Sequence, residues 1–159
     1  MKNSSHKHFV HRLLEIVQKF EDVPILVVGD LIVDRVIRGT VHRISPEAPV
    51  PVLDVHEQHQ TPGGAGNVVC NLRALGARPS LVSVRGDDEA GDSIISDLNK
   101  NGVNISGVLT LPGRPTITKT RIIAHQQQLV RLDVEERADL PKSAAEQLIA
   151  RIQDQLKTC

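Results

Sequence analysis

The run Thr61-Pro-Gly-Gly-Ala-Gly-Asn67, followed at once by a helical pattern that closes at Gly76, constrains this chain more than any other segment. Three glycines ahead of a helix let the backbone come close to a ligand with no Cβ in the way. The free N–H groups of a helix start suit a hydroxyl-rich or anionic small molecule. A plain tight turn with an N-cap has the same composition, so the run gains meaning from its surroundings. Ile25-Leu-Val-Val28 lies ahead of it, a short apolar run ending in Gly29. That is the pattern of a strand buried on both faces of a parallel sheet.

Downstream, the same reading predicts alternation. A helix over 66–76 places Val68, Val69, Leu72 and Leu75 inward, with Gly76 as C-cap. Strand Ser80–Val84 follows, then a helix near 88–100 with Ile94, Ile95 and Leu98 facing inward, closed by Asn101-Gly102. Ile105–Leu109 is a further strand, and Ser143–Leu156 a final amphipathic helix after Pro141. Strand, helix, strand, helix, strand predicts an α/β fold, a Rossmann-type parallel sheet flanked by helices with right-handed crossovers. Two regions break the rhythm. Residues 36–55 and 115–134 mix Pro and polar residues with Val, Ile and Leu, and predict lid strands solvated on one face. Phe9, Leu13, Ile16, Val17 and Phe20 fall at helical spacing, so residues 8–20 read as an amphipathic helix, within an extension over 1–23 ahead of a domain over 24–159.

Composition narrows the function. Nineteen basic residues balance nineteen acidic ones, so no global field favours nucleic acid or an anionic membrane. Two Phe with no Tyr or Trp leave no stacking platform for bases, and require an aliphatic core. Cys70 and Cys159 lack disulfide-framework or metal-ligand spacing, and the seven His form no ligand pattern, so no metal site is expected. The polar, His-rich start shows no signal peptide, and no stretch approaches the roughly 18 apolar residues of a membrane span. The expectation is a cytoplasmic, reduced protein.

No dinucleotide fingerprint follows the first strand and no P-loop occurs anywhere. In combination, however, the segments resemble the ribokinase/PfkB family of carbohydrate kinases. Gly63-Gly64-Ala65-Gly66-Asn67, Gly76 and Gly86 match the spacing of its first signature, with Val69 where a small residue is usual. Val28-Gly-Asp30 with Asp34 resembles its first strand. Three further segments resemble the heptose 7-phosphate kinase branch: Ile44-Ser-Pro-Glu-Ala-Pro-Val-Pro51, Thr116-Ile-Thr-Lys-Thr-Arg121 and Gln127-Gln128-Leu-Val-Arg131-Leu-Asp133. His125-Gln126 stands where that branch leads one to expect Arg-Asn.

The resemblance implies a sugar-phosphate site. Asp34, in a loop at a strand's carboxyl end, would accept from sugar hydroxyls; a turn-capping Asp is the plainer alternative. Gly63 and Gly64 would admit the ligand and Asn67 would donate and accept, or merely cap the helix. Lys119 and Arg121, which alternation puts on one face, would meet a phosphate together with Gln128 and Arg131; a charged solvent face explains the cations equally well. Glu47 is read as exposed. The family's catalytic base, on a Gly-Ala-Gly-Asp-type turn, and most of its ATP and Mg²⁺ site come from a second half that this sequence does not contain. Gly86-Asp87-Asp88 and Gly91-Asp92 read as helix caps. The expectation is therefore the N-terminal half of an ATP-dependent sugar kinase, with no catalytic residue of its own, binding ATP and Mg²⁺ weakly if at all. Its fold is incomplete, and lid strands that pair between subunits imply a homodimer. The rivals are a truncated, non-catalytic sugar-phosphate-binding or oligomerisation module, and a kinase for another sugar.

Overall fold

The structure is a computed structural model describing residues 2–157, with side chains from residue 8 onward; Cys159 lies outside the described residues. Two sheets organise it. The first is parallel, in the order β1 (Pro24–Val28), β4 (Arg78–Gly86), β5 (Asn104–Leu111). The second has the order β3 (Pro51–Gly64), β2 (Leu31–Ile44), β6 (Ile117–Ala124), β7 (Gln127–Val134). In it β2 runs parallel to β6 and antiparallel to β3, and β6 and β7 form a hairpin.

The core forms where the two sheets meet. Leu81 of β4, Leu31 and Val33 of β2, and Val69 of helix α2 (Ala65–Ala74) are buried together with Ile94 and Leu98 of helix α3 (Glu89–Lys100). β4 alternates across the sheet: Leu81 faces α2 and α3, whereas Val82 and Val84 share a groove with Leu148 of helix α4 (Lys142–Leu156). Helices thus cover both faces, as a parallel sheet requires. Aliphatic side chains do all of this work, consistent with the two-Phe composition.

The corner between the sheets is tied by Ser83. Its hydroxyl donates to the Gly29 carbonyl (2.6 Å) and accepts from the Leu31 N–H (3.0 Å), so β2 leaves β1 after a two-residue step. This overturns the placement of Asp34 in a loop. Asp34 is the fourth residue of β2, because Leu31 and Val33 bury on one face and fix strand register from the start. The lid strands accordingly extend beyond 36–55, occupying 31–44 and 51–64, and Gly63-Gly64 ends a strand rather than forming a free loop.

Other expectations need correction. β1 is an edge strand here, only half-buried, with Val28 55% exposed. Val68 of α2 and Leu75 at its C-cap are exposed; Val69 alone of the predicted stripe is fully buried, since α2 rests on β3 and β4 along one side only. Helix α1 (Lys2–Gln18) forms as its spacing predicts, yet its stripe from Phe9 to Val17 is exposed, as are both faces of β7. Helices α3 and α4 and strands β4 and β5 fall where the pattern puts them. Among the described residues no helix is long and apolar enough to cross a membrane.

Candidate functional site

Cross-strand register decides which side chains share a face. Asp34 pairs with Lys119 on β6 and with Thr61 on β3; Lys119 pairs with Asp133, and Arg121 with Arg131 on β7. One face of the second sheet therefore gathers Asp34, Lys119, Arg121, Arg131 and Asp133. The opposite face carries the buried Val33, Thr118 and Thr120 and is apolar towards β7. A bulge between Ile122 and Ile123 leaves Leu129 unpaired and turns Gln128 onto the charged face, at its hairpin end. His125 and Gln126 form the hairpin loop, both at positive φ (47° and 68°), as a two-residue primed turn demands.

Within that face the charges are already paired. Arg121 Nη1 lies 2.5 Å from Asp34 Oδ1. Arg131 grips Asp133 with Nε and Nη2, each at 2.8 Å, and Lys119 Nζ stands 4.0 Å from Asp133. The hydrogen bond from Arg131 holds the Asp133 carboxyl below its ordinary range, its burial opposing and the charges of Arg131, Lys119 and Arg121 adding to the effect. Reciprocally, Asp133 pushes the Arg131 guanidinium upward.

The glycines explain how Asp34 is seated. A Cβ on Gly63 would fall 2.2 Å from Asp34 Oδ2, so the space that a side chain would fill holds this carboxylate. Gly64 adopts φ 55°, ψ −132°, and a Cβ there would meet the Asp30 carbonyl at 2.4 Å. Only glycine fits that crossing, where Ala65 N–H also donates to Asp30 (2.9 Å). Asn67 then stands in the first turn of α2, four residues past the glycine beneath Asp34, with its side chain exposed. The N-cap is Gly64, so Asn67 is not the capping residue. Asp34, Gly63 and Gly64 thus meet at one junction, where α2 with Asn67 begins, and Lys119, Arg121 and Arg131 lie across the face; Gln128 sits farther out and Glu47 is exposed.

Two features escaped the sequence reading. Asp133 belongs to a quoted motif, but only register reveals it as counter-ion to two cations. Asp88, read as a cap, does accept from Gly91 N–H (2.8 Å), and it also accepts from Thr116 N–H (2.8 Å) and Thr116 Oγ1 (2.6 Å). Gly86 N–H donates in turn to Thr116 Oγ1 (2.9 Å). Burial raises the Asp88 carboxyl, but the bonds from Thr116 and Gly91 and the Arg85 charge outweigh it and hold it below its ordinary value. This knot fastens the entry of β6 to the end of β4.

Two acidic residues that follow β4 are engaged within the chain. Asp88 is committed to Thr116 and Gly91, and Asp92 to Arg85 at 2.6 Å. No group of three or more His, Cys, Asp or Glu is placed to hold a metal ion among the described residues. A groove of about 230 Å³ lies beside β1, lined by Val28, Asp30, Val82, Pro115 and Leu148 but by neither Asp34 nor Asn67. Its one cation, Arg114, donates to the Glu136 and Ala138 carbonyls.

A parallel sheet, a glycine crossing and a charged flap together define a sugar-kinase-like α/β protein. Residues 24–155 match the pfkB family of carbohydrate kinases, and the chain belongs to that family. It is 45% identical over 141 residues to the Bifunctional protein HldE of Paramagnetospirillum magneticum, covering 89% of this chain and 29% of that protein. The chain thus spans less than a third of the length of the curated relatives it matches. A carbohydrate kinase from Agrobacterium tumefaciens superposes with a TM-score of 0.58 at 26% identity, over 70% of this chain and 35% of that one. The ribokinase of Cryptococcus neoformans var. grubii serotype A, solved in complex with ADP, shares the fold: TM-score 0.57, 19% identity, 78% of this chain and 38% of that one.

Proposed function

We propose that this chain is the sugar-phosphate half of an ATP-dependent carbohydrate kinase, with heptose 7-phosphate as acceptor and its O1 as the group phosphorylated. One observation carries the reading: Asp34, seated over Gly63, shares a single face with Lys119, Arg121 and Arg131, within reach of the α2 start. A carboxylate suits paired hydroxyl donors, and guanidinium groups suit a phosphate monoester, so the face matches a ligand polar at one end and dianionic at the other. The segments 44–51, 116–121 and 127–133, which resemble the heptose 7-phosphate kinase branch, support the heptose assignment. In this reading Asp34 and Asn67 bind hydroxyls, Gly63 and Gly64 admit the ring, and Lys119, Arg121, Arg131 and Gln128 take the 7-phosphate.

Phosphoryl transfer also needs a base for O1 and a seat for ATP with Mg²⁺. Our reading assigns this chain the binding of sugar phosphate without its turnover. The setting is the cytoplasm, where ATP is available. The bare edge of β7, with Val130, Leu132 and Val134 exposed, supports pairing of two copies through the lid strands. The test is calorimetric titration of heptose 7-phosphate into the purified chain, beside a coupled ADP-release assay and sedimentation of the same preparation. Saturable binding, negligible turnover and a dimer are expected. Absence of binding would overturn the assignment; turnover at ordinary kinase rates would overturn the half-site reading, and a monomer the pairing.

A further inference from the structure

The lid face contains three cations and two carboxylates, and each cation is held by a carboxylate of the same face. The Asp34–Arg121 pair is unlike the others. Arg131 and Asp133 are two residues apart on one strand and neighbour each other whatever the sheet does. Asp34 and Arg121 lie on different strands, and not in direct register: Asp34 stands opposite Lys119, while Arg121 stands opposite Val36. Arg121 reaches back along β6 to make the contact, and Lys119 is left to Asp133. Both partners keep solvent access, with side chains 27% and 34% exposed, so an incoming ligand can separate them.

We infer that the Asp34–Arg121 ion pair is a specificity latch, released together only by a ligand that carries both hydroxyls and a phosphate. The inference rests on the sugar-phosphate reading above and adds to it a selection rule. An unphosphorylated sugar that engages Asp34 strips Arg121 of its partner and offers nothing in exchange. A lone phosphate that engages Arg121 does the same to Asp34. A sugar phosphate replaces both halves of the pair at once: its phosphate takes the guanidinium, and its hydroxyls take the carboxylate. Each half-ligand is penalised by the broken pair, whereas the whole ligand is not. Gly63 belongs to the device, because its missing side chain leaves the room in which Asp34 turns between Arg121 and a ligand.

The latch makes a prediction opposite to simple loss of a contact. Removing the Asp34 charge frees Arg121, so Asp34→Asn should tighten inorganic phosphate binding by about twofold, the scale of a part-exposed ion pair. The same variant should weaken heptose 7-phosphate at least about tenfold, since the hydroxyl acceptor is impaired. Arg121→Gln supplies the mirror test: free Asp34 should bind unphosphorylated heptose more tightly than the parent chain does, while inorganic phosphate is lost. Calorimetry in phosphate-free buffer measures all four combinations, with a thermal melt on each variant. Equal phosphate affinity in Asp34→Asn and the parent, with heptose 7-phosphate still bound by the parent, would overturn the latch and leave the functional reading standing. A parent chain that binds no heptose 7-phosphate would overturn the functional reading and the latch with it.

Discussion

Two aspartates in this molecule sit against glycines, and their surroundings give them different work. Asp88 lies where β4 passes into α3. It is held by two backbone N–H groups and the Thr116 hydroxyl, none of which moves without unravelling a helix start or a strand entry. Asp34 lies on the open face of the second sheet, held by the mobile end of one arginine side chain. A carboxylate satisfied by backbone is structural; one satisfied by an exchangeable side chain is free to trade partners with a ligand. The difference lies in the donors rather than in the acid, and it separates the knot at the base of the lid from the proposed binding face.

Substitutions can break or sharpen that contrast. The largest effect is expected at the glycine crossing that both regions depend on. Gly64→Ala forces a Cβ onto the Asp30 carbonyl at a backbone geometry that other residues rarely adopt, and should cost about 3 kcal/mol or more in denaturant unfolding. A loss below about 1 kcal/mol would mean that the crossing yields and that glycine is not required there.

Next comes the knot. Asp88→Asn keeps the shape but removes the charge that draws in Thr116 and Gly91, and should cost roughly 1–2 kcal/mol at neutral pH. The pH dependence has a definite sign. Asp88 and Asp133 both have folded pKa values held below the ordinary value of about 4, so they stabilise the chain above that pH. That contribution disappears as pH falls through the lowered folded values. Melting temperature should therefore drop in acid below about pH 4, and Asp88→Asn should make the acid limb shallower. An unchanged limb would show that the knot is not a source of acid sensitivity.

The smallest effect should come from the binding face. Asp34→Asn ought to shift unfolding by no more than about 0.5 kcal/mol, because a part-exposed ion pair contributes little to folding. A loss matching that of Asp88→Asn would erase the distinction between the two aspartates.

Much of the architecture was legible in the residues. The apolar run at Ile25–Val28, the spacing of Ile94 and Leu98, and the glycines before α2 each report a local preference, and local preferences survive into the fold. Exposure was less legible. Val28, Val68 and the α1 stripe have the composition of core, and only the neighbours that an element acquires decide whether apolar surface is covered. At the site, alternation was enough to put Lys119 and Arg121 on one face. It said nothing of Asp133 as their counter-ion, or of Arg121 closing on Asp34 across 87 positions of chain.

By itself, then, the sequence determined the kinds of element, the parallel α/β class, the glycine crossing and the residues proposed for a sugar-phosphate site. These follow from periodicity and backbone stereochemistry, which act over a few residues. The tertiary structure alone decided which charge meets which, because pairing depends on strand order and register. Those are set by burying Leu31, Val33 and Leu81 in one core on the face opposite the charges.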